Sequence, residues 1–274
     1  MKKLLLASIL GISLFAGEVQ FGKGKFGVDA NFLGLKSSKS EDITSISLVD
    51  EHKNIFSTKY FYSYKIAYYK SNTLTTSASY LRSLLNKANS VSSIALIYNK
   101  LRGVDLDIVI GKDFVNKERG DTYFGVGILM GASFLYLKTS SSNNNTLKYL
   151  KKSKTKFYTY KLGLSVKGQK SFNKIVNGYF NTSYAFQTAR VKNDVLNLDS
   201  SSNGNYLGFN VGIKFQIKTV KKIWKFTISP SIYVTMGYRY DYWKVNNVKI
   251  NSLSLNTDIK LKVSQMYAGL GYDF

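Results

Sequence analysis

Apolar and polar residues alternate one by one along most of this chain. From Ile223 to Asp241, one row holds Trp224, Phe226, Ile228, Pro230, Ile232, Val234, Met236, Tyr238 and Tyr240. The other holds Lys225, Thr227, Ser229, Ser231, Tyr233, Thr235, Gly237, Arg239 and Asp241. Successive strand side chains point to opposite faces, so this period of two predicts one apolar and one polar face. The same code recurs over Leu207–Ile217, Val176–Phe186, Tyr158–Val166 and Phe124–Phe134. It recurs again over Val104–Ile110, where Asp105 and Asp107 lie on the polar side. Soluble strands usually run about five or six residues. A tilted strand crossing a bilayer needs about 9–11, and several segments here are that long. Tyr and Trp gather toward strand ends, at Trp224, Tyr238, Tyr240, Tyr242 and Trp243, as in an interfacial girdle. The pattern predicts an all-β protein, a closed antiparallel transmembrane β-barrel.

The connections follow a short–long rhythm. Short turns are expected at 116–121, 168–173 and 219–222, and long Ser/Asn-rich loops at 139–153, 191–205 and 243–257. In membrane barrels the short turns face the periplasm, which puts 139–153 and 191–205 outside. Phe26, Val28, Ala30 and Phe32 mark the first strand, and Tyr60, Tyr62, Tyr64, Ile66 and Tyr68 a later one. One further strand lies in 41–50 or 73–84, and another runs from about Val91 to Val115. About ten strands result, with eight or twelve as the other even counts. Pro230 cannot donate to a ladder and predicts a bulge.

Composition narrows the setting. The chain opens with Lys2 and Lys3, an apolar run from Leu4 to Ala16, and small Ala16 and Gly17. That layout predicts a secretory signal peptide over residues 1–17, leaving 18–274 as the barrel. The run is shorter than the roughly 20 residues a spanning helix needs, and no later run reaches that length. There is no Cys, so an exported domain must rely on strand pairing and packing. The formal net charge is +23, which favours polyanionic neighbours such as the phosphates of lipopolysaccharide and anionic lipid.

The C-terminus carries the most specific motif. Met266, Ala268, Leu270, Tyr272 and terminal Phe274 occupy alternate positions, with Gly269 and Gly271 between them. In this the chain resembles the Gram-negative outer-membrane β-barrel family, whose last strand ends in an aromatic residue after alternating apolar ones. The likeness to its small single-barrel members covers residues 18–274. It implies location in the outer membrane and reading of Phe274 and its alternates by the barrel-assembly machinery.

Candidate chemistry is sparse. Gly22 to Gly27 matches G-x-G-x-x-G, but it opens a strand rather than a helix and so cannot cradle a dinucleotide. His52, the only histidine, falls in the expected connection 36–54 with no convergent second group, which points to a solvated loop residue. Asp105 and Asp107 are a possible acid–base pair. However, Lys65, Lys161, Lys214 and Arg239 also fall on inner faces. Charges withdrawn from water need partners, so internal ion pairing is expected instead. No catalytic, metal or cofactor site is expected.

Barrels near eight strands are filled by side chains. A narrow, largely filled lumen is therefore expected, with a structural or surface-interaction role. A small porin-like channel with anion preference is the second reading. A hydrolase lacks a visible site, and a nucleic-acid binder would need its aromatic residues along a basic groove rather than on apolar faces.

Overall fold

The computed structural model describes residues 17–32, 35–53, 59–77, 96–115, 122–142, 154–194, 198–218, 221–223, 226–228, 231–250 and 255–273. Its strands are β1 (Glu18–Phe32), β2 (Leu35–His52), β3 (Tyr60–Ser71), β4 (Leu74–Ser77), β5 (Leu96–Asp113), β6 (Tyr123–Ser142) and β7 (Lys154–Ser171). They continue with β8 (Val176–Asn193), β9 (Leu198–Lys218), β10 (Lys221–Ile223), β11 (Phe226–Ile228), β12 (Ser231–Ile250) and β13 (Leu255–Asp273). Ten of these form a closed antiparallel barrel. The last strand pairs with the first, Glu18 facing Gly271, and β3 closes onto β5, Lys65 facing Asp107. Closure leaves the ten barrel strands without an open edge, which lipid requires because it offers no hydrogen-bonding partners. The short β4 continues β3 along the end of β5, while β10 and β11 form a small separate hairpin.

Several sequence expectations are corrected here. Segments 191–205 and 243–257 are largely strand: β8 runs to Asn193, β9 starts at Leu198, β12 reaches Ile250 and β13 starts at Leu255. Of 139–153, Thr139 to Ser142 belong to β6 and the rest lies outside the described residues. Most of 36–54 is β2, which contains 41–50, whereas 73–84 holds β4 and its remainder from 78 on lies outside the described residues. The expected turn at 168–173 begins after Ser171, and 116–121 lies outside the described residues. The strand read from Ile223 to Asp241 starts at Ser231, and Trp224 and Pro230 are among the residues not described.

The reason is an inversion of polarity along each strand. Near the end where β1 begins and β13 ends, outward rows are apolar: Ile108 and Ile110, Leu162 and Leu164, Ile232 and Met236, Met266 and Leu270, each 49–65% exposed. Further along the same strands the outward rows become Arg102, Lys156, Lys244 and Lys262, while Leu101, Phe157, Val245 and Leu261 turn inward and are buried. A strand in lipid must be apolar outside; once it emerges into water the ordinary rule returns. The wall therefore projects well beyond the membrane as regular sheet. The first strand shows this plainly: Phe21 is 54% exposed on the outside, whereas Phe26 is fully buried within. The row of Phe26 is thus an interior row, not a lipid-facing one.

Candidate functional site

The interior has three layers. The projecting half is packed like a soluble core, with Phe26, Ile43, Leu101, Leu135, Phe157 and Val191 in one cluster with Trp243, Val245 and Leu261. Apolar side chains thus occupy the interior of this half. This corrects the girdle reading of Trp243, which is 1% exposed and points inward. Its ring lies 5.6 Å from that of Tyr206 and 6.3 Å from that of Tyr69, and its indole N–H donates to Ser133 Oγ at 3.0 Å.

Beneath that core lies a charge cluster. Inward positions of β3, β5, β7 and β12 bring together Lys65, Asp105, Asp107, Lys161 and Asp241. Lys65 Nζ is 3.0 Å from Asp105 Oδ2, 2.9 Å from Asp107 Oδ2 and 3.2 Å from Asp241 Oδ1. Lys161 Nζ is 2.7 Å from Asp105 Oδ1 and 2.5 Å from Asp107 Oδ1, and sits 4.0 Å from the centre of the Tyr206 ring. Ser133 donates to Asp105, while Tyr69 and Tyr206 donate to Asp241 at 2.9 and 2.7 Å. Arg239 donates to Ser47 at 2.8 Å and to Gln20, and its guanidinium lies 5.1 Å from the Tyr267 ring. Gly131 makes room: a Cβ there would collide with Asp107 Oδ1 and press on Lys161 Cε. Three cations thus stand among three carboxylates, which suits charges removed from bulk water.

Four of the five cations and carboxylates in direct ionic contact are sequence candidates; Asp241 was read only as a polar-face residue. Lys214 stands apart. It caps the Tyr233 ring at 3.6 Å, toward the end where β1 begins. There the barrel opens into a cavity of about 330 Å³ whose lining includes Glu18, Glu51, Lys167, Lys214, Tyr179 and Gln216. Glu18 accepts from Gln20 at 2.7 Å and from Thr235, and Lys167 donates to Glu51 at 3.1 Å and to Ser63. Sequence reasoning passed over Glu18 and Glu51 because each lies at a strand end, where loop and lumen positions read alike, and read Lys167 only as a polar-face residue. Between this vestibule and the cluster, the gap around Tyr206 and Asp241 is only about 60 Å³, room for a few waters.

His52 is the last residue of β2 rather than a loop residue. Its Nε2 lies 2.6 Å from Asp50 Oδ2 and its ring stacks on Tyr62 at 4.7 Å. Among the described residues no three His, Cys, Asp or Glu side chains are grouped to hold a metal ion. At the C-terminus, Met266, Ala268 and Leu270 form the outward row of β13 with Tyr272 half-buried beside them; Phe274 lies outside the described residues.

No protein-family model matches the chain, and no curated protein sequence matches it. Among solved structures, it is similar to the outer membrane protease OmpT from Escherichia coli at 7% identity, with 93% of this chain and 96% of that one covered and a TM-score of 0.44. The attachment invasion locus protein Ail of Yersinia pestis, solved with the heparin analogue sucrose octasulfate, aligns at 11% identity over 94% of this chain and 99% of that one, TM-score 0.32. Neisserial surface protein A aligns at 12% identity over 92% and 96%, TM-score 0.30. Ten-stranded and closed, with an apolar outer belt and charges within, the chain folds as an antiparallel β-barrel whose outer surface suits lipid.

Proposed function

We propose that this protein is an integral outer-membrane barrel with a structural or surface-interaction role, and that its lumen does not conduct. The observation that carries the reading is the stacked interior: an apolar core above a balanced cluster of Lys65, Lys161 and Arg239 with Asp105, Asp107 and Asp241. A conducting pore needs a wetted path lined by groups that hold ions weakly. Here the central cations are already neutralised, and the buried rings of Trp243 and Tyr206 pack 5.6 Å apart beside them. On this reading residues 1–17 are removed on export. The row ending at Phe274 serves the assembly machinery, and the membrane lipids are the constant partners. The protein performs no catalysis and uses no cofactor or nucleic acid.

The test is the purified barrel in planar bilayers. Little or no steady current is expected. A stable anion-selective current, reversed in preference by Lys214→Glu, would establish the channel reading instead.

A further inference from the structure

The outer wall just beyond the apolar belt is electrostatically lopsided. On the side formed by β1, β12 and β13, Lys244 faces Lys260, but carboxylates stand beside the cations: Asp29 faces Lys260, Lys25 lies 2.7 Å from Asp42, Lys262 2.5 Å from Asp29 and Lys244 3.6 Å from Asp258. The side formed by β3, β5, β6 and β7 differs. No Asp or Glu occurs between residues 70 and 104, or between 122 and 193.

The register on that side sets cation directly opposite cation. Lys70 faces Arg102, Lys100 faces Lys138, Lys138 faces Lys154 and Lys156 faces Lys192. Like charges opposite one another in a sheet are destabilising. Among the described residues, carboxylates reach this wall only at its two edges: Asp42 of β2, bound to Lys25, borders β3, and at the β8 edge Asp194 lies 3.7 Å from Lys156 and Asp199 3.1 Å from Lys192. One cation finds an aromatic face: Lys154 Nζ is 3.9 Å from the centre of the Tyr136 ring. Directly below, on the same strands, outward Val104, Phe134 and Tyr160 begin the apolar belt.

Resting on the reading of the protein as a membrane barrel, we infer that this wall is a docking surface for a phosphorylated, acylated lipid of the outer leaflet. Its phosphates lie among Lys70, Lys100, Arg102 and Lys138, and its chains run down the belt beneath them. An anionic headgroup at this height removes the cross-strand repulsion, and only a lipid places phosphate and hydrocarbon in that vertical order. The opposite wall, with its own carboxylates, is not expected to take part.

The experiment uses the full barrel folded in neutral detergent, with bisphosphorylated lipid A, its phosphate-free counterpart and inorganic phosphate as probes. Retention of lipid is read by native mass spectrometry. The test variant carries Lys70→Gln, Lys100→Gln, Arg102→Gln and Lys138→Gln. The control removes as many charges from the other wall, with Lys25→Gln, Lys244→Gln, Lys260→Gln and Lys262→Gln. Wild type is expected to bind lipid A in a salt-sensitive way, the test variant at least tenfold more weakly, and the control within about twofold of wild type. Without lipid, the test variant should resist denaturant as well as wild type or better, since repulsion has been removed. Equal binding by both variants, equal binding of the phosphate-free lipid, competition by inorganic phosphate, or a lipid-independent loss of stability in the test variant would each overturn the inference. Because membrane insertion is scored separately by fractionation, an inserted barrel that ignores lipid A sinks this inference alone.

Discussion

Lys161 Nζ lies 2.7 Å from Asp105 Oδ1, although the two residues sit on β7 and β5 with β6 between them. The contact passes over Gly131, whose missing side chain lets the ammonium reach across a strand. Removing one partner of such a buried pair leaves a bare charge and costs about 3–5 kcal/mol, whereas replacing both can be neutral. Asp105→Asn should therefore lower stability by about that amount, and adding Lys161→Met should restore much of it. Denaturant midpoints in detergent for the two single variants and the double check this. Additive losses would mean that the pair is not coupled.

The projecting half has a core of its own, so it should respond to core truncation as a soluble domain does. Trp243→Ala is expected to cost about 3–5 kcal/mol, the range for deleting a large buried aromatic. Leu270→Ala, on a side chain 60% exposed outside, should cost much less in detergent. Hydrogen exchange would show Trp243→Ala loosening Val245 and the residues facing it on β13 before the charge cluster opens. Uniform loosening of the whole barrel would contradict a separate layer.

Assembly should depend on the last strand more than on any exposed cation. Deleting Phe274, or replacing it with a charged residue, is expected to reduce the yield of folded barrel far more than Lys151→Gln. Yield is read as the heat-modifiable band in outer-membrane fractions. Equal yields would remove Phe274 from the recognition feature.

Beyond the membrane, Arg190 grips Asp199 with two bonds of 2.8 Å. The hydrogen bond from Arg190 holds the Asp199 carboxyl down to about 2, from a usual value of 3.8. A depressed carboxylate adds stability that is present above the unfolded-state value and is lost as pH falls through the folded one. The join of β8 and β9 should thus hold its exchange protection down to about pH 4 and lose part of it toward pH 2. Arg190→Gln should lower protection at neutral pH and flatten that pH dependence. Because both groups are exposed, the effect is local and small.

The alternation of residues predicted strands of transmembrane length, since side-chain period follows directly from backbone geometry; the even count came from the rule for membrane barrels and left eight, ten or twelve. Alternation also placed Lys65, Asp105, Asp107, Lys161 and Arg239 on inner faces. A two-residue period says that two faces exist without saying which one meets lipid. At Phe26, Trp243 and Val245 the assignment of inside and outside had to come from the folded wall. There the strands leave the bilayer and their polarity inverts, so segments that read as Ser/Asn-rich loops are sheet around a second core. Contact between Lys161 and Asp105, the exclusion of Lys214 from the cluster and the opposition of Lys70 to Arg102 depend on register and shear. Those are properties of the closed barrel as a whole, set by how ten strands tilt to meet and by no single segment.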